Sequence, residues 1–225
     1  MEIHFSPYKG DYYEKGILGK KVLVLGHTYP CNEYLTKEGC KEIPNAENLY
    51  CRGCGFTQRF CSGVTDATKN TVKEYMANEW KGREGGRRKA THTKFLKSLL
   101  PDVYHLDAYR YVAFYNFVQV AVNANSGLIG QAEEKYYELS VEPFLKVLDQ
   151  YQPDCIIIWG KHVFYKLLFY IEKLAHIVIE FKTDDHFTIH YNGNYYHVMR
   201  IMHPSSGGYK RSVWTDKIKE FLLSF

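Results

Sequence analysis

The sequence predicts an α/β fold: a three-layer sandwich with a mainly parallel central sheet of about four strands, flanked by helices, plus a hairpin in the C-terminal half. Three observations predict it. The runs 21–25, 111–120 and 155–159 are short and almost wholly apolar, which marks strands covered on both faces. A fourth run, 195–201, is strongly strand-like and follows the turn pair Asn192 and Gly193. Amphipathic helical segments separate these runs, and buried strands alternating with helices argue for a parallel sheet with helices on both sides.

In chain order, the first strand lies between Gly19 and Gly26, and the loop Gly26, His27, Thr28, Tyr29 and Pro30 follows it. A cysteine-rich stretch at about 31–65 reads as an irregular insertion. Asp66 is placed as the N-cap of a helix over 67–80. Residues 82–88 hold three glycines among charges and read as a flexible basic segment, after which 93–100 forms a short helix that Pro101 ends. The second strand carries Asn116 in its latter half. A helix over 133–150 presents Tyr137, Val141, Leu145 and Leu148, and the third strand runs into Gly160 and a helix over 162–173. Segments 177–181 and 187–191 supply the hairpin. The loop 202–209 then joins the fourth strand to a helix over 212–225, capped by Ser212. No repeat or low-complexity linker appears, so residues 1–225 read as one domain.

Composition narrows the function classes. At 225 residues with 45% hydrophobic content, the chain is long enough for one sizeable core and short for two full domains. No run approaches the roughly 18 apolar residues of a membrane helix, and the first twenty residues lack a secretory pattern. A soluble, cytoplasmic monomer with no membrane partner is the expectation. Net charge is only +4, so affinity for a polyanion has to come from a local patch. Lys81, Arg83, Arg87, Arg88, Lys89, Lys94 and Lys97 supply one against Glu84.

Five of the six cysteines, Cys31, Cys40, Cys51, Cys54 and Cys61, fall in the insertion. Without an export signal such density points to a metal, because disulfides are disfavoured in a reducing compartment. Cys51 and Cys54 form a knuckle, and tetrahedral zinc would take four of the five. Free thiols are the second reading and an iron–sulfur cluster the third. No organic cofactor is expected. Cys155 opens an apolar strand and reads as core.

In an open parallel sheet, ligands bind beyond the C-terminal ends of the strands. Gly26 to Tyr29, Asn116 and His203 to Ser205 all lie at such ends although they are far apart in sequence. The loop holding His203, Pro204, Ser205, Ser206, Gly207, Gly208 and Tyr209 can supply a proton donor, close-approach backbone for phosphate and a stacking group.

Four segments in this order resemble the uracil-DNA glycosylase superfamily: the strand 21–26 with its loop, the strand 113–119 with Asn116, the strand–glycine–helix segment 153–160, and the histidine loop 203–206. Together they span most of the chain. The resemblance implies a DNA substrate, a base swung out of the helix, and hydrolysis of its N-glycosidic bond to leave an abasic site. It implies that His203 donates to the departing base, that Asn116 reads a pyrimidine edge, and that Ser205, Ser206 and the amides of Gly207 and Gly208 hold phosphates. Tyr209 or Lys210 would fill the gap left by the base. Tyr29, Phe56 or Phe60 would stack on it.

One departure stands out. Many relatives carry a carboxylate just after the first motif's glycine, to orient the attacking water, whereas this chain has His27, Thr28 and Tyr29. His27 accepting a proton with Thr28 positioning the water is one solution, and a carboxylate from elsewhere, Asp11 or Asp66, is another. An altered first motif and a long insertion suggest a pocket rebuilt for a base other than plain uracil. A modified cytosine of phage DNA, hydroxymethylated or glucosylated, would make the chain an antiphage defence enzyme rather than a repair enzyme. The rival of another class is a zinc-bearing DNA-binding module of the same fold with weak or lost catalysis. A nucleotide-binding enzyme is disfavoured, because the Gly26 loop lacks both a dinucleotide fingerprint and a Walker lysine.

Overall fold

Strands covered on both faces must alternate their side chains between two cores, and the central strands do so. Leu23, Leu25, Ile156, Ile158, Ala113 and Tyr115 join one buried cluster; Val22, Val24, Cys155, Ile157, Val112 and Phe114 join the other. The computed structural model describes residues 3, 5–31, 66–80, 82–119, 121–123, 134–174 and 176–225.

The strands, in chain order, are β1 (Tyr8–Lys9), β2 (Val22–Gly26), β3 (Tyr29–Cys31), β4 (Val112–Asn116), β5 (Ala121–Asn123), β6 (Cys155–Trp159), β7 (Val178–Thr183), β8 (His186–Tyr191) and β9 (Asn194–Ile201). Among the described residues the main sheet has seven strands, not about four, in the order β1-β4-β2-β6-β9-β8-β7. The four expected strands are its parallel centre, β4, β2, β6 and β9. The C-terminal hairpin pairs antiparallel onto β9 and so extends the sheet, and β1 pairs antiparallel with β4 at the other edge. The remaining two, β3 and β5, form a separate parallel pair.

Among the described residues five α-helices, α1 (Ala67–Met76), α2 (Gly82–Leu99), α3 (Glu134–Tyr151), α4 (Lys161–Ile171) and α5 (Arg211–Leu223), flank the sheet. Helices α3 and α4 cover one face, through Phe144, Leu148, Phe164 and Leu167. Helices α1, α2 and α5 cover the other, through Val72, Phe95, Leu96 and Ile218. No described helix is long and apolar enough to cross a membrane.

Three local expectations need correction. Residues 82–88 are helical, because α2 starts at Gly82 rather than near Thr93. Its last turns are anchored by buried Phe95, Leu96 and Leu99, and extending an anchored helix adds one hydrogen bond per residue fixed. Ser212 lies inside α5, whose N-cap is Lys210 without a side-chain cap. Asp66 does occupy the N-cap of α1, yet its carboxylate makes no cap bond and pairs with Lys69 at 3.0 Å. That helix ends at Met76. Trp80 then folds back, its Nε1 donating to Glu74 Oε2 at 2.8 Å.

Candidate active site

Parallel strands all point one way, so the loops after β2, β4, β6 and β9 meet at one end of the sheet. A cleft of about 640 Å³ opens there, lined by Gly26, His27, Thr28, Asn116, Trp159 and Gly160 to Val163, with His203 and Ser205. Helices α1 and α2 add Thr71, Arg88, Thr91 and His92 to the lining, and the segment between them adds Trp80. Gly26, His27, Thr28, Asn116, His203 and Ser205, six of the catalytic and base-binding candidates, thus share one cavity.

Asn116 ends β4 directly opposite Gly26 of β2. A β-carbon on Gly26 would lie 2.3 Å from Asn116 Oδ1, so the glycine makes room for the amide. Asn116 is 8% exposed, and its side chain makes no hydrogen bond among the described residues although it lines the cleft. Buried amides are normally satisfied, so an unpartnered one facing a cavity is available to a ligand. Its backbone is held firmly. Gln119 Nε2 donates to the Asn116 carbonyl at 2.7 Å, Phe5 N–H donates to Gln119 Oε1 at 2.9 Å, and Gln119 N–H donates to Ser140 Oγ at 3.1 Å.

His203 follows β9 and stands edge-on to Trp159, with ring centroids 5.9 Å apart. Gly160, at φ +88°, brings the backbone alongside it: a β-carbon there would lie 3.4 Å from His203 Cβ. The Ser205 N–H reaches His203 Nδ1 at 3.2 Å, and Ser205 Oγ lies 2.7 Å from the same nitrogen. A backbone N–H can only donate, so Nδ1 is the acceptor. In the neutral ring the proton therefore sits on Nε2. Burial lowers the His203 pKa, which favours that neutral form.

His27 lies at the end of β2. Its Nε2 is 2.6 Å from Tyr137 Oη, and that oxygen is 2.8 Å from His162 Nε2. The His27 and Tyr137 rings stack, 5.6 Å between centroids and 14° between planes. Burial, with smaller contributions from His162 and His203, pulls the His27 pKa down to about 3. His92 is buried, bonded through Nδ1 to Tyr109 Oη, and burial likewise takes its pKa down to about 3. Around it Trp80, Phe114 and Trp159 stand at 5.0, 5.9 and 5.2 Å, an aromatic wall suited to a flat ligand.

Other predicted residues lie elsewhere. Tyr209 is buried and stacks on Trp214 at 6.0 Å, so it underpins the loop from outside the cleft lining. Ser206 N–H donates to the His203 carbonyl at 2.8 Å and Ser206 Oγ accepts from Gly208 N–H at 3.4 Å; both hold the turn. Gly207 and Lys210 are exposed outside the cleft lining. Asp11 lines a different cavity with Lys69 and Lys73, and Asp66 pairs with Lys69, so neither places a carboxylate in the cleft. No carboxylate occurs among the described lining residues. Of Tyr29 and Cys31 only the backbone strand is described, and Cys40, Cys51, Cys54, Cys61, Phe56 and Phe60 lie outside the described residues. Among the described residues no group of histidine, cysteine and carboxylate side chains is arranged to hold a metal. Cys155 is buried and free, and burial pushes its thiol up.

Sequence reasoning missed Tyr137, His162, His92, Trp80 and Trp159. His162 had a signal, two residues beyond the glycine that ends the third strand motif. Tyr137 had none, because an apolar helix position gives no hint that its hydroxyl joins two histidines.

No protein-family model matches the chain, and no curated protein matches it in sequence.

Proposed function

We propose that the chain is a DNA glycosylase that draws a pyrimidine-type base into this cleft and hydrolyses its N-glycosidic bond, leaving an abasic site. The convergence of an Asn116 amide without a partner among the described residues and a His203 ring with its donor nitrogen set by Ser205 supports this most directly. Bond cleavage leaves negative charge on the departing base and positive character on the sugar. A donor aimed at the base oxygen stabilises the first. His203 Nε2–H is that donor, and a neutral imidazole serves at pH 7 without acid. Asn116 offers one donor and one acceptor, enough to read uracil in one amide orientation and a cytosine edge in the other. Trp80, His92, Phe114 and Trp159 supply faces for the ring.

Water attacks the sugar, and His27 takes its proton while Thr28 positions it. Ser205 contacts a neighbouring phosphate, and the basic face of α2, with Arg88 at the cleft, guides the backbone. The altered first motif and the long insertion favour a substituted cytosine over plain uracil, and with it a role in antiphage defence rather than repair.

The second reading, a DNA-binding module with weak or no chemistry, is favoured by the lack of a carboxylate among the described lining residues. Incubation with uracil-containing, unmodified and modified phage DNA, followed by alkali, separates the two. Strand breaks on one of these substrates support the enzyme, and none on any of them supports the binder. Zinc held by four of Cys31, Cys40, Cys51, Cys54 and Cys61 belongs to the same proposal. Metal analysis of the purified protein is expected to find zinc, and a content near zero would remove that part.

A further inference from the structure

We propose that Tyr137 and His162 form a proton relay behind His27, so that a His–Tyr–His line replaces the missing carboxylate as the sink for the proton of the attacking water. The direction of use rests on the glycosylase reading; the line itself rests on geometry. His27 lines the cleft, and its Nε2 is 2.6 Å from Tyr137 Oη. Tyr137 is wholly buried, and its hydroxyl stands 2.8 Å from His162 Nε2. His162 lies in the first turn of α4, exposed at the cleft rim. A buried phenol needs one partner to be satisfied. This one has a basic nitrogen on each side, with one end at the reacting space and the other at solvent.

Before reaction His27 carries its proton on Nε2, donated to Tyr137 Oη, while the Tyr137 hydroxyl donates to His162 Nε2. As the water oxygen bonds to the sugar carbon and the glycosidic bond breaks, its electron pair leaves with the base. The water proton moves to His27 Nδ1, which makes no hydrogen bond among the described residues. His27 passes its Nε2 proton to Tyr137, and Tyr137 passes its own to His162. One proton enters and one arrives at His162, which becomes an imidazolium and releases it to solvent. Neither His27 nor Tyr137 holds a net charge afterwards, which matters because both sit where an ion is poorly solvated.

The surrounding charges fit this traffic. Lys166 and Glu134 face His162; burial first, then Lys166, lowers its pKa, while Glu134 opposes them. Lys166 pairs with Glu134, and Tyr170 Oη donates to the same carboxylate at 2.7 Å. Lys166 also lies over the Tyr137 ring, 5.6 Å from its centroid. His203 is the other titratable group acting on His27. A His162 with a lowered pKa starts neutral at pH 7 and gives its proton up readily.

Tyr137→Phe removes only the hydroxyl and keeps the ring that stacks on His27. Two measurements test the relay. The first is long-range proton–nitrogen NMR of the histidine rings in the free protein. It should show the His27 ring nitrogens responding as His162 titrates, and Tyr137→Phe should abolish the response. The second is single-turnover base release. Tyr137→Phe should slow it about ten- to a hundredfold with DNA binding unchanged. His162→Ala should be slowed similarly and rescued by added imidazole, which cannot rescue Tyr137→Phe. His27 nitrogens indifferent to His162 in the parent protein would overturn the relay, as would a Tyr137→Phe rate within twofold of the parent. If the parent releases no base from any DNA, the glycosylase reading falls, and the NMR coupling alone decides whether the line conducts.

Discussion

At residue scale the site depends on small clearances. Gly26 is required because Asn116 Oδ1 occupies the space of its β-carbon. Gly26→Ala should expel the amide from its place and cost about 1–3 kcal/mol of stability in denaturant unfolding, the usual range for overpacking. Base release should fall more than stability does. The buried histidines set a pH dependence. His27 and His92 have folded pKa values near 3, below the value of about 6.5 for an unfolded chain, so the unfolded state binds more protons as pH falls. Their contribution is complete above about pH 6.5 and is lost as pH drops toward 3. By pH 5 each histidine should cost about 2 kcal/mol relative to pH 7. Unfolding midpoints across that window check the sign, and replacing His92 by Gln should flatten the curve.

At element scale α2 changes most from the expectation. A glycine-rich charged stretch gives no local reason to be helical. Its order comes from the buried end at Phe95, Leu96 and Leu99, which are distant in sequence from the glycines. Gly86 lies in this helix with open space where a β-carbon would go. Gly86→Ala should therefore stabilise the protein by up to about 1 kcal/mol, and no gain would argue against a helix there. As a helix, α2 presents Arg87 and Arg88 to solvent and sets Arg88 at the cleft. Neutralising Arg87, Arg88 and Lys89 should reduce the slope of DNA affinity against salt by about one for each phosphate no longer neutralised. An unchanged slope would take α2 out of the interface. Element β2 was the most legible, since the four apolar residues Val22 to Leu25, led in by two lysines and ended by Gly26, have few other uses.

At the scale of the whole molecule, the parallel centre was legible because β4, β2 and β6 bury both faces and announce themselves by composition, while β9 is marked by the Asn192 and Gly193 turn before it. The edges were not: β1 is two residues long, and nothing local says whether the hairpin of β7 and β8 stands apart or extends the sheet. The site divides along the same line. Gly26, Asn116 and His203 sit at strand ends, where position follows from the fold class. Tyr137 and His162 come from helices on one face, and Trp80 and His92 come from the wall of the other, so their meeting is a property of layer packing. The polar half of the cleft could thus be read from sequence, and its aromatic wall and the His–Tyr–His line could not.

The most direct measurement is mass-spectrometric detection of the free base released from DNA, comparing the parent protein with His203→Ala and Asn116→Ala. A pyrimidine base should appear with the parent, and each variant should release it at least about a hundredfold more slowly while retaining DNA binding. Release by His203→Ala at the parental rate would contradict the role given to His203, and no free base from the parent on uracil-containing, unmodified or modified phage DNA would contradict the enzyme.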